Sequence, residues 1–152
     1  MTPGKLRKKV IAERVNWVRE MLESIRQLPF DDPQVFQKDH RNLAAAESYL
    51  RRGLEALLDI GRHVLAKGFA TPVAEYKEIA RHLQKEGVLS NGDAKLLMKM
   101  AGYRNRMVHF YHEITKEELL RICTQELAGI ETVLDEILLW IRQHPNRIDD
   151  EL

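Results

Sequence analysis

The sequence predicts an all-α protein, an antiparallel bundle of about five helices. Apolar residues recur at spacings of three, four and seven along most of the chain. Helix start and stop signals divide that pattern into segments, and no segment shows the apolar–polar alternation of a half-buried strand.

The first segment runs from about Leu6 to Leu28, with Leu6, Val10, Trp17, Met21, Ile25 and Leu28 forming one stripe. Thr2-Pro3 gives it a start and Leu28-Pro29 a stop. Asp32-Pro33 opens the second segment as N-cap and first helical residue. Its pattern continues to Lys67 and ends at Gly68, expected in the left-handed conformation that closes many helices. Unbroken, that helix would span about 50 Å, although a late start is expected around Asp39-His40. Gly53 and Gly61 lower its helix propensity, and each could instead admit a close helix crossing. Thr71-Pro72 signals the start of a short third helix that stops at Gly87. Ser90 with Asp93 starts the fourth, and Thr115 with Glu118 starts the fifth as a capping box. The fifth carries Ile122, Leu127, Ile130, Val133, Leu134, Ile137, Leu138 and Ile141 before it meets His144-Pro145. The expectation is one domain over residues 1–152, with a core from about 6 to 143 and residues 144–152 as a tail. Asn146–Leu152 reads as frayed and acidic.

Composition narrows the function. The chain has 152 residues, 44% hydrophobic and 31% charged, which is ordinary for a soluble domain. Its net charge is +1, from 24 basic and 23 acidic side chains, so any nucleic-acid contact should be local. The single cysteine, Cys123, cannot form an internal disulfide and reads as a small buried hydrophobe, which fits a reducing cytoplasm. No signal-peptide core follows the basic N-terminus, and the longest apolar run, Ile137–Ile141, is too short to cross a bilayer. There is no glycine-rich phosphate loop, no zinc-ligand spacing and no serine nucleophile with an obvious partner. His40, His63, His82 and His144 read as structural or solvent-facing, and Trp17 and Trp140 as core or interface.

One stretch of the fourth helix does not fit a plain bundle. On an ideal wheel its apolar side holds Leu96, Leu97, Met100, Tyr103, Met107, Val108 and Tyr111, and Arg104 falls inside that arc. A buried ion pair with Glu47, Glu55 or Asp59 is one reading, and a costly one unless it is fully hydrogen-bonded. A guanidinium facing a cleft, where its planar fork suits a phosphate, is the other. Asn105, His109 and His112 share a second, polar edge, with His109 about 140° from Arg104.

The block G-Y-R-N-R-M-V-H-F-Y, Gly102 to Tyr111, resembles the signature of the HEPN superfamily, and more narrowly that of HepT toxins: Arg, four residues, His, one residue, Tyr. Arg104, His109 and Tyr111 match it position for position, and Asn105 matches the asparagine common after the arginine. L-R-R-G-L-E-A-L-L-D-I-G-R-H-V-L and Y-K-E-I-A-R-H-L-Q-K-E-G-V-L fit the family's long second and short third helices, so the resemblance covers about Leu6 to Ile141.

The resemblance implies the toxin of a toxin–antitoxin pair, a metal-independent endoribonuclease without cofactor. RNA would be the substrate, Arg104 and His109 catalytic, and Asn105 and Arg106 substrate-binding. The partners would be a second copy of the chain and an MNT-type nucleotidyltransferase antitoxin, which would silence the toxin by adenylylating Tyr111. The residue types suit the reaction. A histidine moves protons near neutral pH, and an arginine stabilises charge on a phosphorane-like transition state. An ideal helix cannot aim Arg104 and His109 at one phosphate, which requires the helix to unwind near His109, a two-fold dimer to combine two motifs, or both. A non-catalytic module that docks a nucleotidyltransferase, with Tyr111 as acceptor, is the alternative from a different class.

Overall fold

The computed structural model describes residues 4–109 and 114–149. Among them are seven α-helices: α1 (Lys8–Arg26), α2 (Pro33–Lys38), α3 (His40–His63), α4 (Tyr76–Lys85), α5 (Asn91–Val108), α6 (Lys116–Gln125) and α7 (Leu127–Gln143). The all-α expectation holds. The count rises from five because two expected helices are each broken once.

The first break is at Asp39, where the late start was expected. Asp39 leaves helical geometry, and its carboxylate accepts the Arg41 backbone N–H at 3.0 Å, capping α3. Asp32 caps α2 in the same way, with Pro33 at its first position. The second break is at Glu126, between α6 and α7, whose carboxylate collects the Tyr103 hydroxyl, Lys99 Nζ and Arg121 Nη1. Helix starts predicted from Ser90 and Thr115 are observed, each side-chain oxygen accepting the N–H three residues on.

Three local expectations need correction. α3 runs into a wide turn, Val64–Gly68, with π-type hydrogen bonding, and the left-handed residue beyond it is Ala70 (φ 52°), not Gly68. α4 begins at Tyr76, not at Thr71-Pro72. Arg62 donates to the carbonyls of Val73 (3.1 Å) and Ala74 (2.9 Å), pinning the segment before α4 outside the helix. The tail is docked, not frayed, as far as residue 149. Leu6 N–H donates to the Arg147 carbonyl, Asp149 N–H to the Leu6 carbonyl, and Arg147 to the Gly68 carbonyl.

α1 packs antiparallel along α3, as Met21 against Gly53 and Arg7 against His63 show. α4 lies antiparallel on α5, with Gln84 at Asn91 and Tyr76 at Arg104, and α5 on α7, with Ser90 at Glu136 and Tyr103 at Glu126, so α3 and α5 form the centre that the other helices cover. One apolar cluster runs through all seven helices, and the buried set among the described residues contains no polar or charged side chain. Cys123 belongs to it, and burial pushes its thiol up to about 12, an inert hydrophobe as expected. Trp140 is also core, stacked on His144 and tilted against Phe69, whereas Trp17 is 39% exposed and leaves the core. No helix among the described residues is long and apolar enough to cross a membrane.

His63 ties the start of α1 to the end of α3, its Nε2 accepting the Arg7 backbone N–H at 3.0 Å. Burial, then the charges of Lys67, Arg14 and Arg7, lowers its pKa below 6.5. The fold thus favours neutral His63. Its contribution is complete above the unfolded value near 6.5 and is lost as pH falls through the lower folded value. Denaturant unfolding of wild type should lose stability between about pH 7 and 5 more steeply than His63→Gln. Equal pH slopes would remove this tie.

Candidate functional site

Arg104, Asn105 and His109 line one cleft of about 380 Å3 at the C-terminal end of α5. Its other wall comes from Arg62 on α3 and from residues 74–77 at the start of α4. α5 stops at this cleft. Val108 is its last helical residue, and His109 is extended (φ −93°, ψ 103°), with its N–H still donating to the Asn105 carbonyl at 3.1 Å. His109, the residue just past the helix, lines the same cleft as Arg104.

Arg104 occupies a half-buried position, and the two readings of it coexist. Its Nε pairs with Glu55 at 3.4 Å, one of the three expected partners, while the guanidinium stays open to the cleft. Nη1 donates to Asn105 Oδ1 at 3.3 Å, and the group lies over the Tyr76 ring at 4.6 Å from its centroid. Glu55 also takes Arg51 Nη1 at 3.0 Å, and Asp59 takes Arg62 Nη1 at 3.3 Å. Arg62 stands over the same Tyr76 ring at 4.8 Å. Burial and then the Asp59 charge raise the Tyr76 pKa, keeping the phenol neutral between these cations. The arrangement sets a planar cation, an amide bonded to it and an exposed histidine on one cleft.

The other expected site residues lie elsewhere. Arg106 is not brought into this cleft. It forms a two-pronged pair with Glu118 of α6, Nη2 to Oε2 at 2.9 Å, beside a second cavity of about 480 Å3. That pair holds the Glu118 carboxyl below its usual range. Glu47 lines the second cavity, and the carboxylate paired with Arg104 is Glu55. Tyr111 and His112 lie outside the described residues. Sequence reasoning missed Arg62, Tyr76 and Lys77 as cleft walls. The packing of α3 and α4 against α5 brings them to the motif, and no local spacing reports that packing.

The signature of the family described as ribonuclease HepT-like matches residues 18–137. The chain belongs to this family. Solved structures agree on the fold. The tri-AMPylated Shewanella oneidensis HEPN toxin, in complex with an MNT antitoxin, aligns with a TM-score of 0.78 at 22% identity, covering 86% of this chain and 97% of that one. A toxin–antitoxin structure with AMP-PNP aligns with a TM-score of 0.76 at 22% identity, covering 84% and 97%. YutE from Bacillus subtilis, a cytosolic protein of unknown function, aligns with a TM-score of 0.72 at 19% identity, covering 91% and 93%. No curated protein matches the chain significantly in sequence. At these identities the structural likenesses establish a HEPN all-α fold for this HepT-like chain.

Proposed function

We propose that this HepT-like protein is the toxin of a toxin–antitoxin pair, acting in the cytoplasm as an endoribonuclease at the Arg104–His109 cleft. The observation that carries the reading is the convergence of Arg104, Asn105 and His109 on one open cleft at the C-terminal end of α5. An RNA phosphate in that cleft would be attacked by its neighbouring 2′-oxygen. The new 2′-O–P bond forms as the P–O5′ bond breaks, leaving a 2′,3′-cyclic phosphate and a 5′-hydroxyl. His109 would move protons between these oxygens. Arg104, held by Glu55, would meet the charge that builds on the non-bridging oxygens. One imidazole serves poorly as both acid and base, so we place a second copy of the chain across the cleft, with the α5 ends near a two-fold axis.

The partner would be an MNT-type nucleotidyltransferase, a reading supported by the antitoxin complex of the Shewanella relative and its AMPylated toxin. The proposed silencing step joins the Tyr111 phenolic oxygen to the α-phosphorus of ATP and releases pyrophosphate. The attached AMP would bring negative charge and bulk to the region just beyond His109.

Purified protein incubated with RNA should yield cyclic-phosphate ends, with EDTA leaving the rate unchanged. Co-expression with a catalytically active MNT-type enzyme should add AMP to Tyr111 and abolish cleavage, while Tyr111→Phe escapes silencing. AMP found only at other residues, or full inhibition of the Phe variant, would leave steric blocking as the better account. Absence of cleavage together with tight binding of the nucleotidyltransferase would favour the non-catalytic module.

A further inference from the structure

We propose that Lys77 is an RNA-binding residue outside the motif, taking a phosphate that flanks the scissile one; this rests on the ribonuclease reading. Three cations from three helices line the cleft: Arg62 from α3, Lys77 from α4 and Arg104 from α5. Two of them are committed. Arg104 is held by Glu55 and Asn105, and Arg62 by Asp59 and the carbonyls of Val73 and Ala74. Lys77 forms no ion pair or hydrogen bond among the described residues, and it is exposed. A lysine left unpaired in a cleft wall between fixed arginines is a mobile point charge with three donors, suited to a phosphate whose position varies with the bound sequence.

Its reach is set by α5. The Lys77 Cε lies 3.9 Å from where a Cβ on Gly102 would stand, so the alkyl stem runs over the glycine two residues before Arg104. A larger residue at 102 would crowd that path. An RNA strand with its scissile phosphate at Arg104 and His109 places another phosphate on each side, and the α4 wall faces one of them. Glu75 lines the same wall and is the one carboxylate there among the described residues. It opposes Lys77 in charge and gives the test an internal contrast.

The probe is a 2′-O-methyl RNA oligonucleotide, which lacks the attacking hydroxyl, with binding followed by anisotropy from about 50 to 200 mM salt. Lys77→Gln should weaken binding about two- to fivefold. It should also reduce the slope of log affinity against log salt by about 0.7, the share of one single-strand phosphate contact. Lys77→Arg should restore both, and Glu75→Gln should strengthen binding. On cleavable RNA the Gln variant should raise KM and keep kcat. Unchanged affinity and salt slope in Lys77→Gln would overturn the proposal, as would loss of nucleotidyltransferase binding with RNA binding intact. Wild-type protein that binds the probe but does not cleave unmodified RNA would overturn the ribonuclease reading alone, with the salt slope still deciding Lys77. Wild type that binds no RNA would overturn both.

Discussion

Arg104→Ala and His109→Ala should each abolish RNA cleavage and growth inhibition while leaving the helical fold intact. The expected loss is large because each residue has a separate task. Removing a positioned proton-transfer group costs about 10²–10⁴-fold in rate. Removing a cation preorganised at developing charge costs about 10²–10³-fold. The two variants should differ in stability. His109 is exposed beyond the last turn of α5, so its replacement should leave the unfolding midpoint nearly unchanged. Arg104 is half-buried, and Ala there leaves Glu55 with Arg51 alone and removes one of the two cations over Tyr76. About 1 kcal/mol is expected, since both partners retain some solvent. Far-ultraviolet circular dichroism and thermal unfolding check the fold, and single-turnover cleavage checks the rate. Toxicity and cleavage retained in both variants would remove these residues from the chemistry. Mixed dimers of the two variants sharpen the result. Recovered cleavage after chain exchange would place the two groups on opposite sides of a shared site.

The site was legible in the sequence to the extent that it is local. Arg104 stood out because a charge occupied an apolar arc, and Glu55 was one of the three carboxylates named as its partner. The helix ends at Ser90, Thr115 and Asp32 were legible for the same reason, since each cap is a side chain bonding its own neighbouring backbone. The misreadings involve distant partners. Thr71-Pro72 is a sound local start signal, yet Arg62 takes the carbonyls of Val73 and Ala74 and delays the helix to Tyr76. Gly68 looked like a helix terminator, but the left-handed residue is Ala70, after a widened turn whose carbonyl at Gly68 is bound by Arg147. The tail looked frayed from composition, and it docks because Leu6 offers it both a donor and an acceptor. Lys77 carries no sequence signal at all. An exposed lysine in a first helical turn is unremarkable until α4 is laid across α5.

Gly61→Val should destabilise the protein by about 3 kcal/mol, at the upper end for overpacking a core. A Cβ on Gly61 would stand 2.8 Å from Ile79 Cγ2 and 2.9 Å from Leu83 Cδ1. Both neighbours are fully buried in α4, so neither can swing into solvent. The helix propensity gained on replacing glycine, about 0.5–1 kcal/mol for alanine and less for valine, cannot offset that collision. For a chain of this size the midpoint should fall by about 6–12 °C. Gly53→Ala is the contrast. Its Cβ would meet Met21 Cβ at 3.3 Å, a milder contact against an adaptable side chain, and the change should stay within about 1 kcal/mol. The collision at 61 has a functional consequence, because α4 brings Tyr76 and Lys77 to the cleft. Pushing α4 off α3 should withdraw the Tyr76 ring from Arg104 and widen the wall opposite His109. Cleavage by the folded fraction of Gly61→Val should therefore fall, with KM rising more than kcat drops. A midpoint within 2 °C of wild type, or undiminished cleavage at equal folded protein, would mean that α4 can shift without cost and that its seat on Gly61 does not set the cleft.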